Sequence, residues 1–182
     1  MNTLFSHVCV VTMDDRMSVW TDAFVGVTDG KISWLSKHAP EEKPDQIIDA
    51  TGMVLMPGLI NCHTHLPMQL LRGYADDLKL QEWLNDYIFP REDRLDGRCV
   101  RAATTLAVAE CLKFGVTSVS DMYYFCDDIC DVIAKSGMKA NISRGTSMFL
   151  GDDFDFEKFP ACQELVALKN KWHNFDGGRI KI

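Results

Sequence analysis

Hydrophobic positions along the chain fall into two regimes. In the first, short apolar runs rich in β-branched residues are separated by turn residues: Val8-Cys9-Val10-Val11-Thr12, Phe24 to Thr28, Lys31 to Leu35 and Gln46 to Ala50. Such runs suit strands. Asp29-Gly30, between the second and third runs, marks a hairpin, because a tight primed turn needs positive φ at its centre. Pro40 to Pro44 is a polar loop. In the second regime, after Gly52, strand-like runs alternate with stripes of helical period. Met53 to Met56 leads into a Pro57-Gly58 turn and the apolar strand Leu59 to His63. Leu80, Trp83, Leu84, Tyr87 and Ile88 recur at helical spacing, and Pro90 is expected to end that helix. Asp96 is placed to cap the next one. Its stripe is Val100, Ala103, Ala107, Cys111 and Phe114, and Gly115 stands where a left-handed residue closes a helix. Val116 to Ser120 is a strand ending at Asp121. Ile129, Val132 and Ile133 mark a third helix, closed by Gly137. Lys139 to Ser143 is a strand ending at Arg144. Leu165, Leu168 and Trp172 mark a fourth helix, and Gly177-Gly178 is expected to break it before a strand at Arg179 to Ile182.

Strands alternating with helices of this size predict βα units around a parallel sheet. The expected fold class is therefore α/β: a β-rich domain over residues 1–55, then roughly four βα units over residues 56–182. The 182 residues are 47% hydrophobic and 25% charged, the balance of an ordinary globular protein. A net charge of -7 argues against a nucleic-acid partner, which favours a basic face. No apolar run approaches the roughly 20 residues that cross a bilayer. Met1 to Phe5 lacks the basic start of a signal peptide. A cytoplasmic protein without a membrane partner is expected. Seven cysteines, scattered and odd in number, read as reduced thiols rather than a disulfide frame. Cys126 and Cys130, four apart on a helix, read as structural.

Cys62-His63-Thr64-His65 carries the chemistry. Residues two apart on a strand share a face, so two imidazoles at one strand end can converge on one ion. Imidazole suits zinc, and also iron, nickel or copper. A bare His-x-His is a weak signal; the preceding Pro-Gly turn and apolar strand, and the following Leu66-Pro67, strengthen it. A catalytic zinc takes three protein ligands and a water. His7 and His38 lie in the β region, and His173 reads as a solvated helix-end residue, so none of them completes a site at a strand end.

Gly52 to His65, taken with Leu66 to Gly73, Glu82-Trp83-Leu84, Pro90 to Leu95, Asp121-Met122-Tyr123 and Ser143-Arg144-Gly145, resembles the amidohydrolase superfamily. Within it, these segments look like the aminohydrolases that include methylthioadenosine/S-adenosylhomocysteine deaminases and chlorotriazine hydrolases. The resemblance runs through essentially the whole chain. It implies a (β/α)8 TIM barrel, of which this chain carries the first half, preceded by a small N-terminal β domain. It implies one divalent metal, zinc with iron as the alternative, held by the strand-one histidines, a later histidine and a late aspartate. A hydroxide on that metal would attack the ring carbon bearing an amino group, with ammonia leaving and a glutamate shuttling the proton. His63 and His65 match the first two metal ligands. Glu92 matches a glutamate that contacts the nucleoside's ribose, and Arg144 an arginine that faces the substrate's polar tail. The implied partner is a purine nucleoside or related heterocycle, bound by a homo-oligomer.

Two departures qualify this picture. Gly151 to Asp155 is acidic where some of these deaminases carry a second basic residue, which counts against a carboxylate-bearing substrate such as S-adenosylhomocysteine. The remaining ligands and the proton-shuttling glutamate have no counterpart in these residues, and a full barrel takes typically ~250. The chain is thus expected to be an incomplete fragment, inactive alone, with its general base downstream. A cyclic-amide or triazine hydrolase stays open, with Lys181 in the incipient fourth strand as a candidate metal-bridging lysine. So does a non-catalytic short protein. Half a barrel is also expected to expose a large apolar inner face, hidden by dimerisation.

Overall fold

A computed structural model describes residues 1–148 and 153–182. Gly151 and Asp152 of the acidic loop lie outside the described residues. The chain divides into two compact units, Met1–Pro57 and Gly58–Ile182.

The first unit is a five-stranded sheet of β1 (Thr3–Val11), β2 (Val19–Thr28), β3 (Lys31–Ser36), β4 (Gln46–Asp49) and β5 (Val54–Leu55). The order is β3-β2-β1-β4, with β5 also pairing β1. The β2–β3 hairpin closes through Asp29 and Gly30 at φ 50° and 74°, as the Asp-Gly pair predicts. β1 begins well before its apolar run. Thr3 to Phe5 is held on both sides, antiparallel to β2 and parallel to β4, so backbone pairing extends the strand beyond its hydrophobic stretch. Val8, Val10, Ala23, Val25 and Ala50 form the core of this unit.

The second unit is a parallel sheet of β6 (Leu59–Thr64), β7 (Val116–Tyr123), β8 (Lys139–Arg144) and β9 (Ile180–Lys181), in that order. A 3-10 helix at Leu66–Leu71 follows β6. Next come α1 (Leu80–Glu82), a π-helical segment (Trp83–Ile88), α2 (Phe89–Glu92) and α3 (Gly97–Lys113). α4 (Cys126–Ser136) joins β7 to β8. α5 (Pro160–Trp172) and the short α6 (Phe175–Gly178) lead to β9. Consecutive parallel strands joined through helices are the βα units the pattern predicts.

Local signals account for several boundaries. The Asp96 side chain accepts a hydrogen bond from the Cys99 N–H at 2.7 Å, capping α3. Gly115 and Gly137 close α3 and α4 at φ 78° and 80°. Three expectations are corrected. Pro90 does not end its helix but lies in the first turn of α2. The π segment just before it has Phe89 N–H bonded to the Leu84 carbonyl, five residues back, so the widened turn takes up the ring that an α-helical interior would reject. Phe114 does not complete the buried stripe of α3: it is the C-cap residue, and its ring is 72% exposed. The fourth helix ends at Trp172, before the Gly177-Gly178 pair, with His173 as its C-cap.

Helices cover one face of the parallel sheet. Val119, Ala140, Ile142 and Ile180 pack there against Val108, Ile129, Ile133 and Leu168. Strand alternation puts Ser118, Ser120 and Met122 of β7, with Asn141 and Ser143 of β8, on the opposite face. Met122 is the one apolar residue of that set, whereas Leu59 and Ile60 of β6 are apolar and exposed, at 53% and 67%. Cys126 and Cys130 are buried in the core, and burial pushes their thiols up to about 11 and about 12. That is the structural role the sequence suggested.

Candidate functional site

In a parallel βα sheet the functional end is the carboxyl end of the strands. β6 delivers His63 and His65 there. Their rings stand 5.2 Å apart between centroids and nearly perpendicular, at 80°. His65 Nδ1 lies 2.6 Å from the Met122 carbonyl oxygen. A carbonyl only accepts, so Nδ1 is the donor in this contact and Nε2 is the ring nitrogen left to face a ligand. That is the arrangement by which an acceptor behind the ring orients an imidazole to ligate. The backbone just beyond is held by Asp121, whose Oδ1 accepts from the Leu66 N–H at 2.6 Å. Asp121 is 1% exposed. Burial pushes its carboxyl up to about 6, against the opposing pull of the Leu66 N–H, and its Oδ2 has no partner among the described residues.

These features fit His65 as a nitrogen donor to a divalent ion, with the His63 ring beside it. Among the described residues, no group of three His, Cys, Asp or Glu side chains converges as a ligand set. His63 and His65 thus stand as an imidazole pair rather than as part of a closed three-residue set.

A cavity of about 640 Å³ opens beside the pair, lined by His65, Trp83, Leu84, Phe89, Tyr123 and Tyr124 among others, and also by Glu92 and Arg144. The four residues singled out in the sequence are thereby placed: His63 and His65 at the end of β6, Glu92 at the end of α2, and Arg144 at the end of β8. His65, Glu92 and Arg144 share the cavity; His63 is not among its lining residues. Glu92 does not project freely into solvent. Its Oε1 accepts from the Tyr123 hydroxyl at 2.6 Å. Tyr123 is buried, and its phenol is driven above its ordinary range by burial and by Glu92, so it stays a donor. Arg144 donates from Nε to Glu164 Oε2 at 2.7 Å and from Nη1 to the Gly145 carbonyl at 2.6 Å. Its guanidinium lies 4.7 Å from the Tyr124 ring centroid.

Tyr123, Asp121 and Glu164 were not singled out as functional from the sequence. A strand ending Asp-Met-Tyr was the available signal for the first two. Glu164 offered none, because it lies on the polar side of a helix. Lys181 lies at the N-terminal half of the sheet, since β9 pairs with Ala140 and Asn141, and its Nζ donates to Asn174 Oδ1. His173 is exposed at the end of α5, where its Nδ1 accepts from the Ile182 N–H at 3.1 Å.

Comparison with known proteins bears on this arrangement. A relative from Thermoanaerobacter pseudethanolicus, a 5-methylthioadenosine/S-adenosylhomocysteine deaminase, is 33% identical over 100% of this chain and 42% of its own. A 5'-deoxyadenosine deaminase from Methanosarcina acetivorans is 38% identical over 98% of this chain and 40% of its own. An adenosine deaminase from Xanthomonas campestris, solved with bound zinc, superposes with a TM-score of 0.79 at 31% identity, covering 99% of this chain and 41% of that one. A zinc complex of atrazine chlorohydrolase from Arthrobacter aurescens TC1 gives a TM-score of 0.86 at 21% identity, covering 99% and 45%, and so shares the fold. The chain spans about two-fifths of the length of the curated relatives it matches. The Amidohydrolase family model matches residues 54–181, so this chain belongs to the amidohydrolase family, as the N-terminal portion of its α/β barrel architecture.

Proposed function

We propose that the protein deaminates an adenosine-type nucleoside, with His63 and His65 holding one divalent ion, zinc in preference to iron. The observation that carries this reading is the shared cavity. It sets a metal-ready imidazole, His65, against a carboxylate, Glu92, already held by a buried tyrosine. A bound ion would supply Lewis-acid activation of water at neutral pH. The chain's own residues do the rest. Met122 and Asp121 fix the imidazole and the backbone after it. Glu92, with one oxygen occupied by Tyr123, presents the other to a ribose hydroxyl pair as acceptor. Trp83, Leu84 and Phe89 give the purine an apolar wall that excludes water. Arg144 faces the nucleoside's distal end.

The cyclic-amide alternative needs a lysine at the metal. Lys181 hydrogen-bonds Asn174 beside the start of the strands, which counts against that role. We further propose a cytoplasmic homo-oligomer without nucleic-acid or membrane partners. The net charge of -7 and the free cysteines are in keeping with this, and no helix among the described residues is long and apolar enough to cross a membrane.

The test is made on the complete gene product. Metal analysis should find about one zinc per chain, and ammonia should be released from methylthioadenosine or 5'-deoxyadenosine. His63→Ala and His65→Ala should each lose the metal together with turnover. A metal-loaded protein that ignores purine nucleosides and opens cyclic amides or dechlorinates triazines would sink the reading.

A further inference from the structure

We infer that Glu164 is a specificity-determining residue that neutralises Arg144, so that the site selects nucleosides whose 5' tail is uncharged and disfavours those ending in a carboxylate. The inference rests on the nucleoside reading above and narrows it to a substrate class.

Among the described residues Arg144 is the one cation lining the cavity's distal end, and two of its five N–H donors and one ring face are already engaged. Nε is held by Glu164, Nη1 by the Gly145 carbonyl, and one face of the guanidinium by the Tyr124 ring. The Arg144 side chain is 18% exposed, so little of it remains open to a new partner. A planar guanidinium recognises a carboxylate best through two parallel N–H donors, and Glu164 already occupies one edge.

Charge in the neighbouring space points the same way. Among the described residues, the hollow of about 550 Å³ around Arg144 is lined by Glu92, Asp93 and Glu164 against that single guanidinium. An anionic tail would enter a field of its own sign. It would have to displace Glu164, and the displaced carboxylate would stay nearby, since α5 carries it. An alkyl or thioether tail meets none of these costs and finds Phe89 and Phe159 as apolar walls.

The experiment compares two adenosine derivatives on the complete gene product: one with a 5'-carboxyalkylthio tail, the other its primary amide of equal length. The pair differs in charge and hardly in shape, and it lacks the ammonium of an amino-acid tail, which Glu164 could itself attract. The wild-type protein is expected to favour the amide in kcat/KM by roughly tenfold, an effect typical of juxtaposed like charges. Glu164→Gln should shrink that preference to within about threefold, chiefly through the KM of the carboxylate. A second measurement needs no variant: raising the salt concentration should narrow the wild-type preference, because the repulsion is screened over a Debye length of about 8–10 Å. Equal or better use of the carboxylate by the wild type overturns the inference. So does a preference that neither Glu164→Gln nor salt changes. Failure to deaminate either compound, or methylthioadenosine, would instead overturn the deaminase reading itself and this inference with it.

Discussion

At the scale of single residues, the site depends on groups that act through their neighbours. Tyr123 is an example. Its hydroxyl fixes one oxygen of Glu92, so that in the proposed complex the other oxygen would meet the ribose. Removing that hydroxyl leaves the ring in the core and frees the carboxylate to rotate. Tyr123→Phe is therefore expected to raise KM for a ribose-bearing substrate roughly three- to tenfold with kcat little changed, the worth of one hydrogen bond to a charged acceptor. The control is a dideoxy analogue without the ribose hydroxyl pair. If the same loss appears there, Tyr123 shapes the cavity and does not orient Glu92.

At the scale of elements, one glycine permits a close approach between the residue before β6 and β7. Gly58, just before β6, leaves room for Thr117 of β7, and a Cβ there would overlap the Thr117 side chain down to its own Cβ. Gly58→Ala is expected to destabilise the protein by about 1–3 kcal/mol through overpacking. The double variant with Thr117→Gly should recover most of the loss, measured by denaturant unfolding. Additive losses would mean that the two positions are not coupled.

The elements also show what a sequence can and cannot disclose. Asp29-Gly30, the Asp96 cap and the two left-handed glycines were legible, because each is settled by the chemistry of a few adjacent residues. Pro90 misled because its effect depends on the turn before it, and the π segment of Trp83–Ile88 leaves no mark in hydrophobic spacing. Phe114 misled because helical periodicity continues one residue past the last residue that packs. The site divides in the same way. His63 and His65 declare themselves by spacing on one strand, and Glu92 and Arg144 only through family resemblance. Glu164 is twenty residues from Arg144 and sits on another element, so the ion pair exists only once α5 has packed beside β8.

For the whole molecule, the decisive quantity is how many ligands the described residues bring together. The strand ends gather one imidazole pair, with Met122 and Asp121 behind it, and no third His, Cys, Asp or Glu joins them. A complete zinc site of four ligands contributes about 10–16 kcal/mol of binding. Two imidazoles, at roughly half of that, correspond to a Kd in the range of about 1–200 µM. The 182-residue chain by itself should therefore lose its metal on dialysis and rebind zinc with that modest affinity. His63→Ala or His65→Ala should abolish the rebinding. Because His65 is held on the Met122 carbonyl through Nδ1, zinc should ligate Nε2, which nitrogen-15 shifts of the ring would report directly. One tightly held zinc per chain, surviving dialysis and lost in either variant, would require further ligands to converge on the pair from within these residues, contrary to the arrangement described. Weak binding that persists in both variants would place the ion elsewhere and remove the imidazole pair from the metal site altogether.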